Sequence, residues 1–247
     1  MAEAVNSQAD PTIPKRFQQR MSEPHSEQPE QKPDEVFATA VLFETALAVA
    51  AITLGWALGP SAREMMPEWN VEDLKPIYKG LWQGTLAALP MLISIELIRR
   101  IPWDPIQELE KLSDDQMIGA LVRLRVPELL VISLCAGVGE ELLFRGWLMG
   151  WLRDGLSDFR FPFDTTWAAV MISSIVFGFF HPITKIYIVL AGLMGFYFGC
   201  LLIWTENLLV PIVAHAVYDA LQFLITKRQV EKKEQASSYV EQVGADG

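Results

Sequence analysis

Two adjacent carboxylates, Glu140 and Glu141, stand inside the apolar stretch GVGEELLFRGWLMGWL (137–152), and a guanidinium, Arg145, follows one helical turn later. Two further apolar runs carry a histidine. FGFFHP ends with His181 against Pro182, and LLVPIVAHAVYDALQFL holds His215 and Asp219 four residues apart. A charge at the centre of a bilayer costs about 2.5–3.5 kcal/mol on insertion scales, so such residues need partners or water. One reading is a set of satisfied polar pairs that lock helices together. The other is a site where carboxylates and imidazoles hold a water. A carboxylate in an apolar pocket has a raised pKa and can act as a general base near neutral pH. A neighbouring imidazole can orient it or donate to a developing oxyanion.

Helix geometry sorts these groups. Glu141 and Arg145 lie four apart on nearly one face, acid N-terminal to base, which is the favourable order for an ion pair. Glu140 points about 100° away from Glu141 and is left to face something else. Gly137 and Gly139 thin the helix just before it, so that another group or a water can approach. His215 and Asp219 also share a face.

The elements that must position these residues are membrane spans. Of the 247 residues, 51% are hydrophobic, and the formal charge of −10 is concentrated outside the apolar runs. The runs cover 36–59, 81–98 (interrupted by Pro90), 127–152, 166–181 (stopped by Pro182), 186–204 and 208–226. Residues 104–125 alternate charge with Leu, Ile and Met, as an amphipathic helix on the membrane surface or a soluble connecting helix would. The expected fold is all-α: a polytopic transmembrane helical bundle of about six spans plus an interfacial amphipathic helix. Ala191, Gly195 and Gly199 recur every four positions, a spacing that lets a neighbouring helix pack closely.

Residues 1–35 hold seven Asp/Glu against four Lys/Arg and few apolar residues, the composition of a disordered tail. They resemble neither a secretory signal nor a transit peptide. Six spans put both termini on one side. The loops and tails on that side carry 14 Lys/Arg against 5 on the other, which places both termini in the cytoplasm. Trp56, Trp82, Trp147, Trp151, Trp167 and Trp204 fall at the outer span ends, as an aromatic belt does. Cys135 and Cys200 are packing residues rather than a disulfide or metal framework. An acidic balance without a basic stripe argues against a nucleic-acid partner. The expected partners are membrane lipids and a protein or peptide, with the inner membrane as the location in a bacterium.

In order, Glu140-Glu141-x-x-x-Arg145, Phe177-x-x-x-His181 and His215-x-x-x-Asp219 resemble the three motifs of the CAAX-protease and bacteriocin-processing family, also called Abi. Its best-known members are type II CAAX prenyl endopeptidases. The resemblance covers roughly 125–226, including LLFRGWL after the double Glu and NLLVPIVAH before the last His. It implies an intramembrane protease acting on a peptide, prenylated in the best-known cases. It assigns Glu140 to water activation, His181 to assisting Glu140 or binding the water, and His215 with Asp219 to the oxyanion. Glu141 and Arg145 would fix the geometry. The last motif position is often Asn in the prenyl-protein enzymes. Asp219 must instead be protonated or orient His215, because an ionised carboxylate only accepts hydrogen bonds.

Glu140, His181, His215 and Asp219 also form an N/O set of the kind that ligates zinc. No HExxH occurs in the chain, and the metal-free glutamate mechanism is the expectation. The organisation expected is a disordered polar tail over 1–35, two spans and the connector over 36–126, the catalytic helical core over 127–226, and a flexible polar tail over 227–247. Two other functions compete. One is a non-catalytic membrane scaffold or immunity factor that keeps the motifs, which Asp219 favours. The other is a proton-relay transporter, against which the short loops and lack of an internal repeat count.

Overall fold

Proline and polar residues set where each helix begins and stops. The computed structural model describes residues 32–104, 106, 116–159 and 161–245. Those elements are α1 (Pro33–Leu58), α2 (Lys75–Arg99), α3 (Gln116–Val122), α4 (Val126–Glu141), a π-helical segment (Leu142–Leu148), α5 (Met149–Asp158), α6 (Thr165–Phe179), α7 (Lys185–Thr205) and α8 (Leu209–Ala245). Among the described residues there is no strand, as the all-α expectation requires. The expected disordered tail lies outside the described residues up to 31, and so does part of the expected surface helix at 104–125, of which 116–122 is helical.

Four helices, α1, α2, α7 and α8, are long and apolar enough to cross a membrane. The other two expected spans differ in form. Residues 126–158 are helical throughout but change pitch at 142–148. Helix α6 has only 15 residues, so it is roughly 22 Å long. Its start is fixed by Asp164, whose side chain accepts from the backbone N–H of Thr166 and Trp167. Its end precedes Pro182, since the residue before a proline is pushed out of the helical region.

Pro90 does not interrupt α2, contrary to the sequence expectation. Proline removes one N–H from the ladder, and a neighbouring side chain can serve the carbonyls one turn back. Here Tyr197 on α7 donates its hydroxyl to the Ala87 carbonyl at 3.0 Å. At the other end of the chain, α8 continues past 226 through the charged residues to Ala245. Lys227 donates to the Val122 carbonyl at 2.7 Å, and so ties that continuation to α3.

The helices meet where side chains are smallest. Gly137 seats α4 against the Ile212 carbonyl and Ala216 of α8, and Gly139 seats it against the Glu44 carbonyl of α1. The thinned surface before Glu140 is therefore filled by two helix backbones. Gly195 and Gly199 of α7 receive Phe177, Ser174 and Val170 of α6, so the small-residue stripe packs within the bundle. Around this interior the outer faces are apolar and bare: Leu42, Phe43, Val49 and Ile52 on α1, Leu89, Ile93 and Leu97 on α2, Val189 and Leu193 on α7. Such a surface suits lipid and not water. Trp56, Trp82, Trp151, Trp167 and Trp204 are exposed. Trp147 instead is half-buried, stacks on Trp151 and donates to the Gly59 carbonyl at 3.3 Å.

A methyl at Gly139 would collide with the Glu44 carbonyl, whereas nothing lies within 4 Å of one added at Gly155. Gly139→Ala is expected to lose about 1–3 kcal/mol of stability by overpacking. Gly155→Ala, on an open helical face, is expected to be neutral or to gain about 0.5–1 kcal/mol. Thermal unfolding of the two variants in detergent checks both, and equal midpoints would remove the close α1–α4 contact.

Candidate active site

Four helices converge at the end of α4. Glu140 and Glu141 are its last two residues, and Arg145 lies in the π-helical segment that follows. A π turn inside an α-helix re-aims side chains and is frequent at functional sites. His181 sits two residues past the end of α6, where its backbone N–H donates to the Gly178 carbonyl at 3.0 Å. His215 and Asp219 come from α8.

The inner layer of the site is an ion pair with an imidazole on it. Glu141 Oε1 accepts from Arg145 Nη1 at 2.9 Å and from His215 Nδ1 at 3.0 Å. Glu141, Arg145 and His215 are 0%, 2% and 4% exposed, so this neutralisation happens away from bulk solvent. Aromatic faces complete it. The Arg145 guanidinium carbon lies 4.3 Å from the Phe177 ring centre and 5.2 Å from that of Phe198, distances at which a ring face attracts a cation. The His215 ring stacks on Phe198 at 5.0 Å. Phe177, the first residue of the second motif, therefore holds the arginine. Ser173 adds a strut by donating to the Phe144 carbonyl at 2.9 Å.

The outer layer is Glu140 with two imidazole nitrogens. Its Oε1 lies 3.7 Å from His181 Nε2 and its Oε2 lies 4.0 Å from His215 Nε2. His181 Nδ1 is 2.9 Å from the Phe177 carbonyl. A carbonyl only accepts, so Nδ1 carries the proton, and the neutral ring turns its lone pair at Nε2 toward Glu140. His215 Nδ1 likewise faces an acceptor, Glu141, while its Nε2 stands between the carboxylates of Glu140 and Asp219. Asp219 Oδ2 lies 3.4 Å from His215 Nε2. The His181 and Asp219 side chains are 23% and 24% exposed against 10% for Glu140, so the layer opens on their side.

All six residues singled out in the sequence thus stand together. Glu140 turns one oxygen to each histidine, and among the described residues no three His, Cys, Asp or Glu side chains form a set able to hold a metal ion.

Two residues at the site received no role from sequence reasoning. Glu44 of α1 has a buried Oε2 without a hydrogen-bond partner among the described residues, and lies within electrostatic reach of Glu140, His215 and Asp219. A lone acid in a 26-residue apolar helix was the available signal. Tyr187, in the first turn of α7, reaches the same side as His181. Nothing in its spacing marked it.

Removing one member of the buried pair leaves the other uncompensated. Arg145→Leu and Glu141→Gln are each expected to lose about 3–5 kcal/mol. The double variant is expected to lose less than the sum of the two. Unfolding midpoints of the three variants in detergent test this, and full additivity would show that the pair is not coupled.

Over 175 residues the chain is 25% identical to the uncharacterized protein YpbD of Bacillus subtilis (strain 168), an alignment spanning 70% of this chain and 80% of that protein. No solved structure matches the chain. The family model described as type II CAAX prenyl endopeptidase Rce1-like matches residues 122–221, a range that holds both layers of the site except Glu44. Residues 122–221 of this apolar helical bundle are therefore similar to type II CAAX prenyl endopeptidases of the Rce1-like family.

Proposed function

We propose that the chain is an intramembrane endopeptidase that hydrolyses a peptide bond with a water activated by Glu140. The observation that carries this reading is the pair of separations around Glu140, 3.7 and 4.0 Å to two imidazole nitrogens. Both exceed a direct hydrogen bond, so a water seated beside the carboxylate can bridge these groups. In the proposed reaction Glu140 takes a proton from that water, and the oxygen attacks the peptide carbonyl carbon. The C–N bond then breaks, and the same proton passes from Glu140 to the leaving amine. His181 holds the water through its Nε2 lone pair. His215, fixed by Glu141 and Asp219, faces the carbonyl oxygen. Arg145 holds Glu141 in place.

No step in this reading runs through a metal. The family match supports a CAAX-type substrate, a peptide with a prenylated C-terminal cysteine. The bare apolar faces are suited to delivering such a lipidated chain laterally. The Lys/Arg distribution supports cytoplasmic termini. A second reading, a scaffold that retains the motifs, draws on Asp219, where the prenyl-protein enzymes often carry Asn.

Purified protein in lipid vesicles is expected to cleave a farnesylated CAAX reporter peptide. Glu140→Gln, which keeps the shape and removes the base, is expected to lower the rate by about 10²–10⁴-fold. Equal rates for the two proteins, or no cleavage by either, would favour the scaffold. Addition of a strong chelator is expected to leave the rate unchanged. Loss of activity that zinc restores would overturn the metal-free mechanism.

A further inference from the structure

Helices α2 and α8 first touch and then part. Gly80 is seated against Leu209 and Gly84 against Val213, so the two helices run parallel in one register. Further along, a groove of about 440 Å³ opens between them. Ile93 and Leu97 of α2 and Leu221 and Ile225 of α8 line it, and all four are exposed.

The apolar walls of this groove end in charge. Arg99 and Arg100 line its far end from α2. The register set by the two glycines brings Arg99 to the level of Arg228. That residue follows Ile225 by three positions and so shares its face of α8. The acid of the groove, Glu96, is taken by Arg100 at 3.0 Å. Lys227 is engaged elsewhere, with the Val122 carbonyl and Glu231. Arg99 and Arg228 have no hydrogen bond or ion pair through their side chains among the described residues. Nor does a helix end account for Arg228, since α8 continues to Ala245.

Two uncompensated cations thus stand at the mouth of an apolar groove. The chain as a whole carries −10, so its overall charge repels an anionic surface and any attraction rests on local groups. Basic pockets between spans take lipid headgroups in this way. A guanidinium presents a planar fork of donors that matches phosphate oxygens. A zwitterionic lipid brings its own cation and leaves the arginines unneutralised, whereas an acidic phospholipid neutralises them.

We infer that the α2–α8 groove is a binding site for one acidic glycerophospholipid, with the phosphate held by Arg99 and Arg228 and an acyl chain laid along Ile93, Leu97, Leu221 and Ile225. The site is separate from the Glu140 layer and does not depend on the peptidase reading.

The test titrates the purified full chain in detergent with phosphatidylglycerol or phosphatidylcholine and counts bound lipid by native mass spectrometry. Wild type is expected to bind one phosphatidylglycerol more tightly than phosphatidylcholine. The variant Arg99→Gln/Arg228→Gln is expected to lose about 30-fold in phosphatidylglycerol affinity and to bind phosphatidylcholine as wild type does. Arg63→Gln/Lys79→Gln, which removes the same charge from exposed positions outside the groove, is expected to change neither. Leu221→Trp obstructs the groove with both arginines kept, and is expected to weaken phosphatidylglycerol binding. Glycerol 3-phosphate, which has the headgroup charge and no chains, is expected not to compete. Equal wild-type affinity for the two lipids overturns the inference without any variant. So does wild-type affinity in either groove variant, an equal loss in Arg63→Gln/Lys79→Gln, or displacement by glycerol 3-phosphate.

Discussion

A fully buried guanidinium cannot stand without a counter-charge, and the arrangement of the bundle follows from how Arg145 is satisfied. Glu141 neutralises it from one turn away, His215 closes on the same carboxylate oxygen, and the rings of Phe177 and Phe198 face the cation. These partners come from α4, α6, α7 and α8, so one charge fixes four helices relative to one another. Inside a low-dielectric interior, such a network is strong only when its members are present together. The reactive layer is built directly on it, since His215 belongs to both.

The packing beside this network is correspondingly tight. Gly137 and Gly139 let α8 and α1 approach the backbone of α4 immediately before Glu140. That approach brings Glu44 to the site from a helix outside the segment matched by the family. Helix α1 is thus more than a membrane anchor, since it adds a carboxylate to the site.

Much of this was legible in the sequence. Apolar runs gave the spans, and polar residues inside them gave the site, because a charge in hydrocarbon has few structural reasons to exist. The i, i+4 spacing gave the Glu141–Arg145 pair, and the hundred-degree offset set Glu140 apart from it. What the sequence did not disclose depends on tertiary partners. Pro90 reads as an interruption until Tyr197 is seen to serve Ala87. The π segment at 142–148 has no composition of its own. Gly137 and Gly139 read as room for another group or a water, and the backbones of α8 and α1 occupy that room. Trp147 reads as a belt residue, yet its indole packs on Gly59 and Trp151. Tyr187 is one aromatic among many until the fold turns it toward His181.

The short α6 has a consequence for the surrounding lipid. A helix of 15 residues is several ångströms less than the roughly 30 Å thickness of hydrocarbon. A bilayer answers such hydrophobic mismatch by thinning locally, at a modest elastic cost. His181 lies just past one end of this helix, so thinning there would bring headgroups and the water among them closer to the site. Access of water to the site would then be a property of the lipid as much as of the protein, and membrane thickness would tune it.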